Sequence, residues 1–333
     1  VKKLLLGAAL CLIGLFNLSD TASAKNVVWK LSHVRPEGTT VDKDLRAFAS
    51  RVSELTEGRV DIQIYPANQL GDYTVVHESV SVGAVEMACQ PPAVAADKRL
   101  QILWFPYIVE SWDQARKNFV SSSEFMKVAE DLLAKQDIKL LATYPVYFGG
   151  IATKKEPVEP GNPDVKKNLK VRVPPMKSFQ LLANALGYQA TPLPFSEAFT
   201  AIQTGIVDGV IGSGAEGYYA NFRDVIENYI PVNTHFECWY LYVNMETWSS
   251  MSESDRELIS KAAEEFESAR LVNAEKEQGE NEDKLAKYGI KVISVTDEQI
   301  DLMATKTQNE VWPQIKKDLG EKWADEVLSK IVK

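Results

Sequence analysis

Residues 170–209 read strand, helix, strand, helix, strand, and that order constrains the fold more than any other stretch of the chain. Arg172 sits between two valines in the first strand, and Pro174 breaks that strand. A helix follows, then a short second strand, then a helix holding Ser196-Glu197-Ala198-Phe199 and Ala201-Ile202-Gln203. Gly205 stops this helix, and Val207-Asp208-Gly209 leads into a buried strand. Parallel strands need such helical crossovers, so the unit belongs to an open α/β sheet. Ligands of these sheets sit in a crevice beyond the carboxyl ends of the strands, where Arg172 is placed.

The chain opens with the same alternation. Asn26 to Ser32 alternates as a strand, and Thr39 or Thr40 caps a helix from Val41 to Thr56 with Leu45, Phe48, Ala49 and Val52 on one face. Gly58 ends it, Val60 to Tyr65 forms a second strand, and a helix from about Tyr73 to Val82 precedes a third strand from Val85 to Cys89. Ile138 to Ala142, Trp239 to Asn244 and Lys291 to Val295 read as further strands. Ser254 to Tyr288 forms one long helical pattern, capped by Ser252 or Ser254 and ended by Gly289. Its first half has an apolar face of Leu258, Ile259, Ala262, Ala263 and Phe266, and its second half is strongly polar. That pattern fits a helix spanning two domains, though a surface helix on one domain has the same signature. Two amphipathic segments finish the chain.

Residues 1–24 carry the signs of an export signal: Lys2 and Lys3, an apolar run from Leu4 to Leu18, and the A-x-A site Ala22-Ser23-Ala24. A soluble exported protein is expected, with room in the remainder for two domains of ordinary size. The net charge of -9 argues against a nucleic-acid partner and requires any acid-binding site to supply its own local cation. Beyond the signal, Cys89 and Cys238 remain, and two buried free thiols are expected in a chain large enough to need no disulfide.

Gly212-Ser213-Gly214-Ala215-Glu216-Gly217 matches G-x-G-x-x-G after a strand, with Glu237 a further 20 residues on. Bulky residues from Tyr218 to Arg223 and export from the cytoplasm speak against a dinucleotide, and a turn bringing backbone close to a small ligand explains the glycines as well. His33, His77 and His235 lack ligand spacing, and no nucleophile motif occurs, so neither a catalytic residue, a metal nor a cofactor is expected. Alternation by itself turns Arg172 away from the valines, toward solvent.

The ordered set Tyr65-Pro66, Asn68-Gln69-Leu70-Gly71, Phe105-Pro106-Tyr107, Leu169 to Pro174, and Pro192 through Phe195-Ser196-Glu197 to Val207-Asp208-Gly209 resembles the extracytoplasmic solute-binding subunits of TRAP transporters, the DctP family. The resemblance implies a two-domain α/β periplasmic binding protein of the Venus-flytrap type, with a long helix spanning both domains. The implied domains are residues 25–147 plus about 238–277, and 148–237 plus about 278–333. It implies a periplasmic protein that delivers a carboxylate to TRAP membrane permease subunits and has no catalysis of its own.

By the same resemblance Arg172 is the ligand-gripping guanidinium and Phe195 packs near the ligand. Where many members have a second Arg and an Asn, this chain has Tyr147-Phe148-Gly149-Gly150 and Gly212, so glycines are expected to widen the cleft. Tyr147, Phe148, Tyr218, Phe236, Trp239 and Tyr240 lie near the implied cleft, with His33, Arg35 and Gln90 as weaker candidates at strand ends. One polar anchor among aromatic walls suits a monocarboxylate with an aromatic or apolar body. Glu216 or Glu237 would admit an amino group. A sugar acid, or a sensing role beside a membrane receptor, is the alternative.

Overall fold

The computed structural model describes residues 26–332, so the expected signal segment lies outside the described residues. The first elements are β1 (Val27–Ser32), α1 (Thr40–Leu55), β2 (Val60–Tyr65), α2 (Tyr73–Ser81) and β3 (Met87–Gln90). A 3-10 turn over Lys98–Trp104 leads to α3 (Trp112–Asn118), α4 (Glu124–Ala134) and β4 (Ile138–Phe148). Next come β5 (Gly150–Thr153), β6 (Lys170–Val173), α5 (Lys177–Ala185), β7 (Gln189–Pro192), α6 (Phe195–Gln203), β8 (Gly209–Ser213), α7 (Ala215–Asn221) and β9 (Asn228–Ile230). The chain closes with β10 (Phe236–Asn244), α8 (Met245–Ser249), α9 (Glu253–Tyr288), β11 (Lys291–Val292), α10 (Asp297–Glu310), α11 (Trp312–Leu319) and α12 (Glu321–Leu328).

Two mixed sheets result, in the orders β2-β1-β3-β10-β4 and β11-β9-β5-β8-β6-β7. The expected βαβαβ unit is β6-α5-β7-α6-β8, with β6 parallel to both β7 and β8. The chain passes between the sheets from β4 into β5 and again from β9 into β10. This is the two-domain α/β periplasmic binding fold.

Long helices join the halves. α9 packs on α1 and β4 at one end and on α7 and β11 at the other, so its polar second half is a bridge between domains. Ser252 caps it by accepting from Asp255 N, and Gly289 leaves it in the left-handed region at φ 104°. α10 rests on α5 of the second half and α12 on α4 of the first, where Asn118 also bonds the chain end at Val332. One apolar core lies between the first sheet and α1 with α9, and another beneath the second sheet against α6 and α7. The largest core continues from the other face of the first sheet through α5 to the C-terminal helices.

Several sequence expectations change in extent. The strand expected over Ile138–Ala142 runs on to Phe148, since β10 pairs with it throughout. Pro145 is tolerated because β4 is an edge strand and the register shifts between Glu237 and Cys238. The last strand stops at Val292 because its partner β9 is three residues long. The two terminal segments are three helices, divided where Pro313 enters α11 and where Gly320 takes φ 96°. Cys89 and Cys238 are buried free thiols, as expected, and burial pushes both thiol pKa values up. Among the described residues no helix is long and apolar enough to cross a membrane.

Candidate ligand cavity between the two sheets

The carboxyl ends of β1, β3, β6 and β8 converge on one cavity, contributing Val34 and Arg35, Pro91, Arg172 with Pro174, and Gly212. The crossing strands add Tyr147 from β4 and Glu237 with Trp239 from β10. Tyr73, Trp104, Met176, Phe179 and Phe195 complete its walls. The cavity is tight, about 40 Å³ in volume.

Arg172 is 1% exposed. Val171 and Val173 face the core shared with α5, which turns Arg172 to the opposite face of β6. Alternation alone placed it in solvent. In a sheet covered on both faces the second face is also interior, so the direction was right and the surroundings were not. Arg172 Nε donates to Leu193 O at 2.9 Å, and this is the guanidinium's only hydrogen bond among the described residues. No carboxylate lies within ion-pair distance of it among the described residues. Burial lowers its pKa against the weaker opposing influence of Tyr73 and Asp72.

Arg35, 2% exposed, is a second buried guanidinium lining the cavity, at one of the strand ends singled out from sequence. It differs from Arg172 in being matched. Its Nε donates to Glu216 Oε2 at 2.8 Å and its Nη2 to Tyr147 Oη at 3.3 Å, while Tyr147 Oη lies 3.0 Å from Ser213 Oγ. Burial works against its charge, but Glu216 and Tyr147 outweigh burial and raise its pKa. Both guanidinium groups face the Phe195 ring, at 5.3 Å for Arg35 and 5.7 Å for Arg172, and Arg35 also lies 4.8 Å from Trp239.

Glu237 is the other charged group of the cavity. Its Oε2 accepts from Trp104 Nε1 at 3.0 Å and lies 3.2 Å from His235 Nε2. Its Oε1 accepts from Trp239 Nε1 at 2.7 Å.

The glycines of the G-x-G-x-x-G match make room for protein. A Cβ on Gly214 would lie 2.5 Å from the Tyr147 ring, and one on Gly217 would lie 2.1 Å from Ser213 Oγ and 2.6 Å from Arg35 Nη2. They let the Arg35 and Tyr147 side chains reach α7. Among the described residues no group of His, Cys, Asp and Glu is placed to hold a metal ion.

The profile described as DctP, bacterial extracellular solute-binding protein, family 7, matches residues 31–318. The chain belongs to this family, the periplasmic solute-binding subunits of TRAP transporters. A solute-binding protein of Chromohalobacter salexigens is 28% identical over 87% of this chain and 86% of its own length. The C4-dicarboxylate-binding periplasmic protein DctP of Rhodobacter capsulatus is 28% identical, over 74% of each chain. A TRAP periplasmic solute-binding protein from Chromohalobacter salexigens, solved with bound D-glucuronate, superposes with a TM-score of 0.83 at 25% identity, covering 91% of this chain and 98% of that one.

In this member of the DctP family the residues singled out from sequence divide into two groups. Arg172, Phe195, Gly212, Tyr147 and Trp239 line the cavity. Gln90, His33, Gly150 and Glu216 do not. Gln90 donates to Tyr73 O at 2.7 Å and to Tyr242 Oη at 3.0 Å, bracing a wall residue. His33 lies 3.2 Å from Asp42 and ties β1 to α1. Glu216 is occupied by Arg35.

The two glycines do not widen the cleft as expected. A Cβ on Gly150 would lie 2.5 Å from the Tyr229 ring, and one on Gly212 would lie 2.6 Å from Pro174, with φ already at +99°. Tyr229 and Pro174 fill the volume that was attributed to ligand. Phe148 and Phe236 pack with Trp112, Tyr218 donates to Gly150 O and Val210 O, and Tyr240 packs on Trp104, so these aromatics belong to the core. Tyr73, Pro91, Trp104, Met176 and Phe179 were missed as wall residues. The rule that ligands lie beyond strand carboxyl ends points to Pro91 directly.

Proposed function

We propose that this protein captures an organic monocarboxylate with an apolar or aromatic body and presents it to a TRAP-type permease driven by an ion gradient. Export through segment 1–24 brings it to the periplasm. One observation carries the reading: Arg172 is buried at 1% exposure, with a single backbone hydrogen bond and no counter-ion among the described residues. A buried unpaired charge is costly, and a carboxylate would both neutralise it and accept from the remaining guanidinium prongs. The walls are mostly aromatic and aliphatic, which leaves the hydroxyls of a sugar acid short of partners. D-Glucuronate in one relative and C4-dicarboxylates in another show that ligand chemistry varies across the family. The assignment here therefore rests on this cavity.

The open protein admits the ligand, and closure buries it between the sheets. The ligand drives closure by binding the closed state better than the open one. A thermal-shift panel of aromatic and branched monocarboxylates, dicarboxylates and sugar acids tests the proposal. Ligand at a hundredfold excess over its Kd stabilises by about 2.7 kcal/mol, which a melting curve resolves. Selective stabilisation by sugar acids would shift the ligand class. Silence across the panel would remove the carboxylate.

A further inference from the structure

Arg172 serves one end of the cavity and leaves Glu237 without an assigned role. Three ring nitrogens converge on Glu237. Trp104 and Trp239 give indole N–H groups, at 3.0 and 2.7 Å. His235 Nδ1 lies 2.9 Å from Thr234 Oγ1 and its Nε2 lies 3.2 Å from Glu237, so the imidazole bridges the threonine and the carboxylate. No lysine or arginine is within ion-pair distance of Glu237 among the described residues. The two indoles are neutral donors, so they hold the carboxylate in place without cancelling its charge.

The charges of the cavity then sort themselves. Arg35 and Glu216 cancel in a direct ion pair. Arg172 and Glu237 remain, both lining the cavity, Arg172 with no carboxylate partner and Glu237 with no lysine or arginine partner and only His235 within ion-pair distance among the described residues. They are not partners of each other: the one hydrogen bond of Arg172 goes to Leu193 O, and the contacts of Glu237 are to Trp104, His235 and Trp239. A plain carboxylate on Arg172 would leave two anions in one small desolvated space. A ligand that also carries a cation removes that conflict.

We infer that the cavity is built for a zwitterion, with its carboxylate on Arg172 and its ammonium group on the Glu237 side, between the indoles of Trp104 and Trp239. This deepens the proposal of a carboxylate-binding protein and rests on it. The class is that of an α-amino acid with an apolar or aromatic side chain.

Calorimetry on matched pairs tests the inference: L-phenylalanine against 3-phenylpropanoate, and L-leucine against 4-methylpentanoate, at pH 7. The wild-type protein is expected to bind the amino acid of at least one pair tenfold or more tightly than its des-amino partner. Glu237→Gln should weaken the amino acid at least tenfold and strengthen the des-amino acid, because a like charge has been removed. Equal affinities within both pairs, or tighter binding of the des-amino acids to the wild type, would overturn the zwitterion, and this comparison needs no variant. A Glu237→Gln protein that shifts both members of a pair equally would do the same. If sugar acids or dicarboxylates bind and neither pair does, the carboxylate site stands and the zwitterion falls. If no acid of any kind binds, the carboxylate reading itself falls.

Discussion

Arg172 and Arg35 show how two buried residues of one type take opposite parts. Arg35 has a carboxylate at 2.8 Å and is a strut, whereas Arg172 has none and is free to take one. Arg172→Ala should cost about 2–5 kcal/mol of ligand affinity, roughly 30- to several-thousand-fold. The ligand-free protein should lose no stability, because the variant removes an uncompensated buried cation. Calorimetry with a ligand found in the acid panel checks the first part and ligand-free melting the second; a loss under threefold would take Arg172 out of the site. His77 supports a different prediction. Burial outweighs its bond to Gln136 and lowers its pKa below 6.5, so the unfolded chain takes up the proton first. Its contribution is therefore full above about pH 6.5 and declines as pH falls from there toward the folded pKa. Unfolding free energies from urea denaturation between pH 7 and 5 should fall with a slope of up to about 1.4 kcal/mol per pH unit for each such group, and His77→Gln should flatten that slope. An unchanged slope would show that His77 titrates alike in both states. At this scale the sequence showed that Arg172 lies on the face opposite two valines. Local pattern could not show Arg35 meeting Glu216, 181 positions away.

The elements that matter most to the site are β4 and α9. The caps of α9 were readable, since Ser252 and Gly289 are local signals with local causes. The use of its polar residues from Glu267 onward was not, because their partners come from elsewhere in the chain. Glu267 accepts from Thr143 N and Oγ1 and from Ser121 N and Oγ. Arg270 donates to Pro145 O and Val146 O, and Gln278 accepts from Phe148 N at 2.8 Å. These side chains satisfy backbone groups along an edge strand disrupted by a register shift, and that strand delivers Tyr147 to the cavity. Polar side chains of α9 therefore replace a missing strand neighbour. Glu267→Ala leaves buried donors without an acceptor and should cost about 1–3 kcal/mol for such a group. Chemical denaturation measures this; a change under about 0.5 kcal/mol, within the range of an ordinary surface substitution, would show that water replaces the carboxylate.

For the molecule as a whole, the paired sheets were legible because their signals are short-range: strand alternation, helix caps, and glycines after helices. The size of the cavity was not, because it depends on how the halves meet. Beside the bridging helices, polar contacts join them, three of them from residues already named or at the cleft. Arg35 meets Glu216, Tyr147 meets Ser213, and Asp72 Oδ2 accepts from Ser196 N at 3.2 Å. The last differs from the others in standing at the surface, away from the cavity floor. Asp72 also caps α2 through Oδ1, which accepts from Thr74 N. One side chain thus caps its own helix and holds the first turn of α6 across the cleft, where a carboxylate is favoured by the exposed N–H groups. Asp72→Asn separates these tasks. The amide oxygen can still cap α2, but the amide nitrogen cannot accept from Ser196. A surface hydrogen bond of this kind contributes about 0.5–1.5 kcal/mol, so the closed liganded state should weaken by roughly two- to tenfold. The loss should fall on the dissociation rate, because the bond forms only once the halves have met. Trp104 and Trp239 line the cavity and provide the signal, so stopped-flow tryptophan fluorescence can follow release. Faster release at an unchanged association rate is expected. A slower association rate with unaltered release would mean that Asp72 steers the ligand inward and does not hold the halves together.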